Sequence, residues 1–188
     1  GRTQPLTATA DATHIYWAES SSVVYRQLLG GGAIEPVMSC TDARVLLVNG
    51  DDLYCAPFAQ NVFRGPKAGG AAVAIAYVES RAVSMIQEGS MLYVANASGN
   101  PQLFRVPMPN GPEMLVKQIA GPNRFEGLTA SSNYFYLTDS NTGVRRIHKT
   151  TNVADVIYLS ASTTQDPVIW NDDLYFAKMD SYVMHCVD

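Results

Sequence analysis

The chain has 188 residues, of which 47% are hydrophobic and only 16% charged, with a formal net charge of −4. That length suits one domain and can bury roughly 70% of the surface of the unfolded chain, so no metal or disulfide staple is required. The acidic balance argues against binding to a phosphate backbone, which calls for a basic face. No apolar run approaches the ~18 residues of a spanning helix, which argues against membrane insertion. Residues 1–5 lack an apolar signal core and read as a mature or trimmed start.

Taken in chain order, short strand-like runs alternate with turn residues. Residues 6–10 lead through a turn at 10–13 to Ile15-Tyr16-Trp17-Ala18, then Val24-Tyr25-Arg26, then Gly30-Gly31-Gly32. The second unit runs through 45–48, the turn Asn49-Gly50-Asp51-Asp52, Leu53-Tyr54-Cys55-Ala56, 62–65, Gly69-Gly70 and 72–76. The third has a turn at 87–90, Leu92-Tyr93-Val94-Ala95, Leu103-Phe104-Arg105 and Asn110-Gly111. The fourth has 131–133, Phe135-Tyr136-Leu137-Thr138, Val144-Arg145-Arg146 and Thr151-Asn152, and the fifth has 171–173, Leu174-Tyr175-Phe176-Ala177 and Val183-Met184-His185. The Asn-Gly and Gly-Gly pairs supply the positive φ that tight hairpins need.

The five signature tyrosines are spaced by 38, 39, 43 and 39 residues, and the last members of the second marker by 38, 41, 41 and 39. Two independent markers in one register through five copies establish a repeat. Four short strands per unit of ~40 residues is the pattern of propeller blades, each burying its faces on its neighbours. The fold class predicted is all-β: a five-bladed β-propeller of four-stranded antiparallel blades, forming a single domain over 1–188 with blades at about 5–40, 41–78, 79–120, 121–161 and 162–188. The last unit ends after its third strand. Three readings stay open: a three-stranded blade, closure by a short N-terminal strand from 1–5, or a piece of a longer protein.

The Tyr16-Trp17-Ala18-Glu19 and Tyr136-Leu137-Thr138-Asp139 segments resemble the Y-W-T-D signature of low-density-lipoprotein-receptor-type propellers. The whole unit, an aromatic-Arg strand followed by Gly-Gly-Ala, is similar to the bacterial tandem repeats of that superfamily, which occur in surface and secreted proteins. The resemblance implies a secreted, periplasmic or cell-surface binding module. Only Tyr136-Leu137-Thr138-Asp139 keeps the Thr-Asp ending, and receptor propellers of the family have six blades where five units are counted here.

The repeated tyrosines (Tyr16, Tyr54, Tyr93, Tyr136, Tyr175) read as packing between blades, with their hydroxyls on backbone partners. The third-strand arginines (Arg26, Arg64, Arg105, Arg146) read as stacking or ion-pairing between blades. Arg44, Arg81 and Arg124 open strand one of blades two, three and four, with Gln165 in that slot of blade five. Ringing a channel mouth, they would bind carboxylates, phosphates or a partner's acidic side chains. The plainer alternative pairs them with Asp42, Glu79, Glu126 or Asp166. Phe58, Asn100 and Tyr182 lie in loops on the same face and suit sugar rings or peptides, and Asn96-Ala97-Ser98 matches a glycosylation sequon.

No nucleophile elbow, phosphate-binding loop or dinucleotide fingerprint occurs. His14 and His148 are expected in turns opposite the mouth and His185 in a strand, so no metal triad and no cofactor is expected. Of three cysteines, Cys40 and Cys55 are read as lying in one unit and able to pair; three buried thiols are equally open. The leading expectation is an extracytoplasmic protein-binding or scaffold module with a protein or glycan partner, alone or as part of a larger chain or assembly. A glycan-binding lectin is the alternative, followed by a glycoside hydrolase with Glu126 and Asp166 as channel carboxylates.

Overall fold

The computed structural model describes residues 4–20, 22–97, 100–109, 111–119, 124–140, 143–160, 162–179 and 182–186, without the side chain of Tyr182. Most of the expected N-terminal closing strand (1–5), the turn residue Asn110 and the sequon residue Ser98 lie outside the described residues.

The described residues form 19 strands in five antiparallel sheets and no helix. The first sheet is β1 (Pro5–Ala10), β2 (His14–Glu19), β3 (Val23–Leu28) and β4 (Glu35–Ser39). The second is β5 (Ala43–Asn49), β6 (Asp52–Pro57), β7 (Asn61–Pro66) and β8 (Val73–Tyr77). The third is β9 (Ala82–Glu88), β10 (Met91–Asn96), β11 (Gln102–Pro107) and β12 (Met114–Gln118). The fourth is β13 (Phe125–Ala130), β14 (Tyr134–Asp139), β15 (Gly143–His148) and β16 (Ala154–Leu159). The fifth has three strands, β17 (Thr164–Trp170), β18 (Asp173–Lys178) and β19 (Tyr182–Cys186).

Every sheet is an up-and-down meander, because short turns can only join neighbouring antiparallel strands. The first hairpin of each sheet solves the same geometric problem with different residues. Gly50 (φ 57°) and Gly89 (φ 54°) take the left-handed conformation directly. Asn171 (51°) and Asp172 (67°) take it between β17 and β18, as short polar side chains tolerate. Between β1 and β2, the Asp11 carboxylate instead accepts the backbone N–H groups of Thr13 (2.8 Å) and His14 (2.9 Å).

The sheets stack in series through their first strands: β1 on β5, β5 on β9, β9 on β13 and β13 on β17. Register makes the stacking repetitive. Tyr16 pairs with Thr9, Tyr54 with Leu47, Tyr93 with Ile86, Tyr136 with Thr129 and Tyr175 with Val168. One face of each sheet carries the tyrosine and the alanine or threonine two residues on. That face meets the opposite face of the next sheet, built from the apolar residues on either side of the tyrosine. Tyr16, Ala18 and Val24 thus cluster with Leu46, Leu53 and Cys55, and Tyr54, Ala56 and Val62 with Met85, Leu92 and Val94. Tyr93 lies against Phe135 (ring centroids 4.5 Å), and Tyr158 against Phe176 (5.0 Å).

Two expectations are corrected. The five sheets do not close into a ring: among the described residues β17 makes no contact with β1 comparable to those between successive first strands. Closure needs the two end sheets to meet, and the repeat alone does not set the curvature. Cys40 and Cys55 form a disulfide, yet they belong to different sheets. Cys40 follows β4 and Cys55 sits in β6, so the bond ties the first sheet to the second.

Candidate functional site

The side of the arc where the first strands begin gathers three of the sequence-predicted residues. Asp42 takes a left-handed φ of 53° immediately before β5, and its carbonyl accepts the Phe58 N–H at 3.0 Å. That bond holds the β6–β7 loop over the start of β5. Arg44 then lies with its guanidinium carbon 5.5 Å from the centre of the Phe58 ring, and Arg81, from the next sheet, lies at 5.2 Å. Phe58 is 53% exposed despite both contacts. The ring's negative π-face explains why guanidiniums settle there, worth roughly 0.5–1 kcal/mol each at an exposed site.

The counter-charges are unequal. Arg44 pairs with Asp42 at 2.8 Å. Arg81 has no carboxylate partner among the described residues, because Glu79, the acid expected to take it, accepts a hydrogen bond from Gln102 Nε2 at 2.9 Å. Gln102 in turn exchanges bonds with the buried Asn96: its N–H donates to Asn96 Oδ1 at 2.8 Å, and Asn96 Nδ2 donates to Gln102 Oε1 at 2.9 Å. Gln60 extends the same web, donating to the Glu79 carbonyl at 3.0 Å and accepting from the Tyr77 hydroxyl at 2.5 Å. The loop carrying Phe58 is therefore clamped from both sides, and of the two cations only Arg44 has an acid partner among the described residues. A cleft of about 430 Å³ lined by Cys40, Pro57, Ala59, Phe63 and Ala72 lies beside this loop.

The other predicted mouth residues fall elsewhere. Arg124 precedes β13 and donates from Nε to Glu126 Oε1 at 2.5 Å, so the plainer pairing holds there. Asn100 lies between β10 and β11, Gln165 in β17, and Tyr182 opens β19 with its side chain undescribed. Glu126 is engaged by Arg124, while Asp166 sits in the β17 bulge with φ 48°. His14 opens β2 and His148 ends β15, where both were expected in turns; His185 lies in β19 and meets Asp173 at 3.0 Å. Among the described residues no three His, Cys, Asp or Glu converge as a metal site.

The repeat residues divide. Tyr16, Tyr54 and Tyr136 are buried, and Tyr93 and Tyr175 half-buried. The Tyr16 hydroxyl donates to the Asp11 side chain at 3.0 Å, not to backbone as expected. Burial and that carboxylate push Tyr16 up to about 12. The N–H of Thr13, with help from His14 and Lys67, holds the Asp11 carboxyl well below the usual range. The third-strand arginines pair mainly within their own sheets: Arg26 with Glu35 (2.7 Å), Arg64 with Asp52 (2.8 Å) and Arg146 with Asp155 (3.7 Å), while Arg105 donates to the Met114 sulfur at 3.9 Å. Strand three is flanked by strands two and four, so their acids are nearer than the next sheet. Arg26 reaches across as well, donating to the Lys67 carbonyl at 3.0 Å.

Sequence reasoning missed the buried Asp139. It accepts from the Gly143 N–H (3.2 Å) and Arg145 Nε (3.1 Å), and its carbonyl takes the Thr164 hydroxyl of the fifth sheet (3.2 Å). The signal was the Thr-Asp ending unique to that unit. The Glu79–Gln102–Asn96 chain left no comparable signal, since only folding brings its members together.

No protein-family model matches the sequence, and no curated protein does. Solved structures resemble it in fold. The extracellular domain of a putative one-component system from B. thetaiotaomicron superposes with a TM-score of 0.76 at 12% identity, over 97% of this chain and 27% of that one. Kuenenia stuttgartiensis hydrazine synthase gives 0.76 at 12% identity, over 97% and 64%. The computationally designed protein Ika8 gives 0.73 at 9% identity, over 96% and 57%. The extracellular domain and the synthase have β-propeller-like folds. The chain thus spans from about a quarter to under two thirds of each of these longer chains.

Proposed function

We propose that this chain is an extracytoplasmic protein-binding module, a YWTD-like propeller domain whose five sheets are its blades. Its mouth presents Arg44, Arg81 and Phe58 to an acidic segment of a partner protein. The observation that carries the reading is the convergence of two guanidiniums from separate sheets on one exposed ring, with Asp42 paired to Arg44 and no acid paired to Arg81 among the described residues. A carboxylate arriving there gains a charge-assisted hydrogen bond from Arg81 while its aliphatic carbons rest on Phe58. The Cys40–Cys55 bond supports a secreted, periplasmic or cell-surface location, because cytosolic thiols are kept reduced. The likeness to an extracellular domain agrees with this. Arg124 extends the basic rim one sheet further, its charge already offset by Glu126.

The test is titration of fluorescent peptides rich in Asp and Glu against the same peptides carrying Asn and Gln. Acidic peptides are expected to bind at least tenfold tighter, more weakly at high salt, and to lose that preference in Arg81→Ala and Phe58→Ala. Equal binding of the amide peptides, or an unchanged preference in both variants, overturns the reading.

A further inference from the structure

Opposite each signature tyrosine the third strand carries a basic side chain: Arg26, Arg64, Arg105, Arg146 and His185 in the five sheets. Four of them have an acid. Arg26 meets Glu35 and Arg146 meets Asp155, their register partners on strand four. Arg64 meets Asp52 and His185 meets Asp173, the residues that open strand two. In the third sheet both places hold methionine: Met114 faces Arg105 on β12, and Met91 opens β10. Arg105 accordingly makes no ion pair among the described residues, and donates there only to the Met114 sulfur at 3.9 Å.

Arg105 borders a pocket of about 180 Å³ between the third and fourth sheets, with Tyr93, Leu115, Lys149, Thr150 and Asn152 also on its wall. The β15–β16 turn that supplies the last three lies where third strands end, on the side opposite the Phe58 loop, so the pocket is separate from the mouth. The junction of the first and second sheets shows what this one lacks. There Lys67 pairs with Asp11 and Arg26 with Glu35, two cations with two acids. Lys149 holds the place of Lys67, since the N–H of each donates to a carbonyl in the first hairpin of its own sheet, Asn133 and Asp51 respectively. Its ammonium is committed to Glu88 at 2.6 Å and to the Ser131 carbonyl at 2.5 Å. Arg105 holds the place of Arg26 without the carboxylate of Glu35, which leaves the pocket short of one negative charge.

We propose that this pocket binds a small organic monocarboxylate with a hydroxylated body, a sugar acid, whose carboxylate stands on Arg105 where Glu35 stands on Arg26. A guanidinium fork meets a carboxylate with two parallel N–H donors. One charge is missing, so a carboxylate balances the pocket where a dianionic phosphate would overload it. The Thr150 hydroxyl and the Asn152 carboxamide make no side-chain hydrogen bond among the described residues, and both exchange bonds readily with hydroxyl groups. Burial and the Glu88 charge push the Tyr93 phenol above its ordinary value, so it stays a donor. Leu115 offers an apolar patch for the ligand's carbons.

Calorimetric titration of the full chain with glucuronate, glucose, acetate and inorganic phosphate tests this. The guanidinium Nε–Hε resonance of Arg105, assigned by its loss in Arg105→Met, reports where binding occurs. Glucuronate is expected to bind at millimolar concentration or below and to shift that resonance, with acetate weaker and with glucose and phosphate weaker by roughly tenfold or more. Arg105→Met should weaken glucuronate roughly tenfold or more, as loss of a charged hydrogen-bond partner does. Met114→Glu gives the third sheet the acid that Glu35 supplies in the first, and should abolish binding with Arg105 still present. Its urea midpoint should match or exceed that of the parent chain; should it fall, Arg105→Met decides alone. Arg81→Ala, which alters the mouth, should leave glucuronate binding unchanged. No glucuronate binding at millimolar concentration, phosphate bound as tightly as glucuronate, or undiminished binding in a folded Met114→Glu chain overturns the proposal.

Discussion

Truncating the same repeat slot in two sheets should have very different costs. Val62 is fully buried between the second and third sheets, where Tyr54, Ile75, Ala76 and Leu92 belong to the same cluster. Val62→Ala removes two methyl groups, worth about 1.6 kcal/mol at ~0.8 kcal/mol per buried carbon. The rigid strands around it cannot collapse fully, so the residual cavity raises the cost to about 2–3 kcal/mol. Val183 fills the corresponding place but stands mostly in solvent, and Val183→Ala should cost within ~0.5 kcal/mol, as surface changes do. Urea unfolding, followed by tryptophan fluorescence and circular dichroism at high dilution, measures both. With a slope of about 2 kcal/mol/M, Val62→Ala should lower the midpoint by about 1–1.5 M, and Val183→Ala by no more than about 0.25 M. Equal shifts at dilution would refute the reasoning, because they would mean that something within the single chain covers the fifth sheet's face.

Reducing the Cys40–Cys55 bond, or replacing both cysteines by alanine, should cost about 3 kcal/mol in the loop-entropy description of a bridge across 15 residues. An unfolding midpoint unmoved by reductant would contradict that stapling role. The depressed Asp11 carboxyl binds fewer protons folded than unfolded, so its contribution is complete above the ordinary carboxylate value near 4 and is lost as the pH falls below it. Urea midpoints measured between pH 6 and pH 3 should therefore fall less steeply in Asp11→Asn than in the parent chain, and identical slopes would remove Asp11 from the account.

Much of the architecture was legible because strand repeats are local. Tyr16, Tyr54, Tyr93, Tyr136 and Tyr175 announce their slots through nearest neighbours, and Gly50 or Gly89 marks a hairpin by its own conformational freedom. The sequence also supplied Arg44, Arg81 and Phe58 as separate candidates. It could not show that all three share one ring, since Phe58 stands 14 residues beyond Arg44 and 23 before Arg81 along the chain. Nor could it show that Glu79 turns to Gln102 and leaves Arg81 without an acid, which depends on how the third sheet packs on the second.

The sequence by itself thus determined the strand order, the five-fold repeat and the residue types on each face, because alternation and turn chemistry act over a few residues. Tertiary structure alone decided that Cys40 reaches across to the second sheet, that two arginines meet over Phe58, and that the first strands of the first and fifth sheets do not pack on each other among the described residues. Those outcomes rest on the small rotation from one sheet to the next. That rotation is set by the packed volume at each junction, summed over the whole arc, and no single repeat carries it.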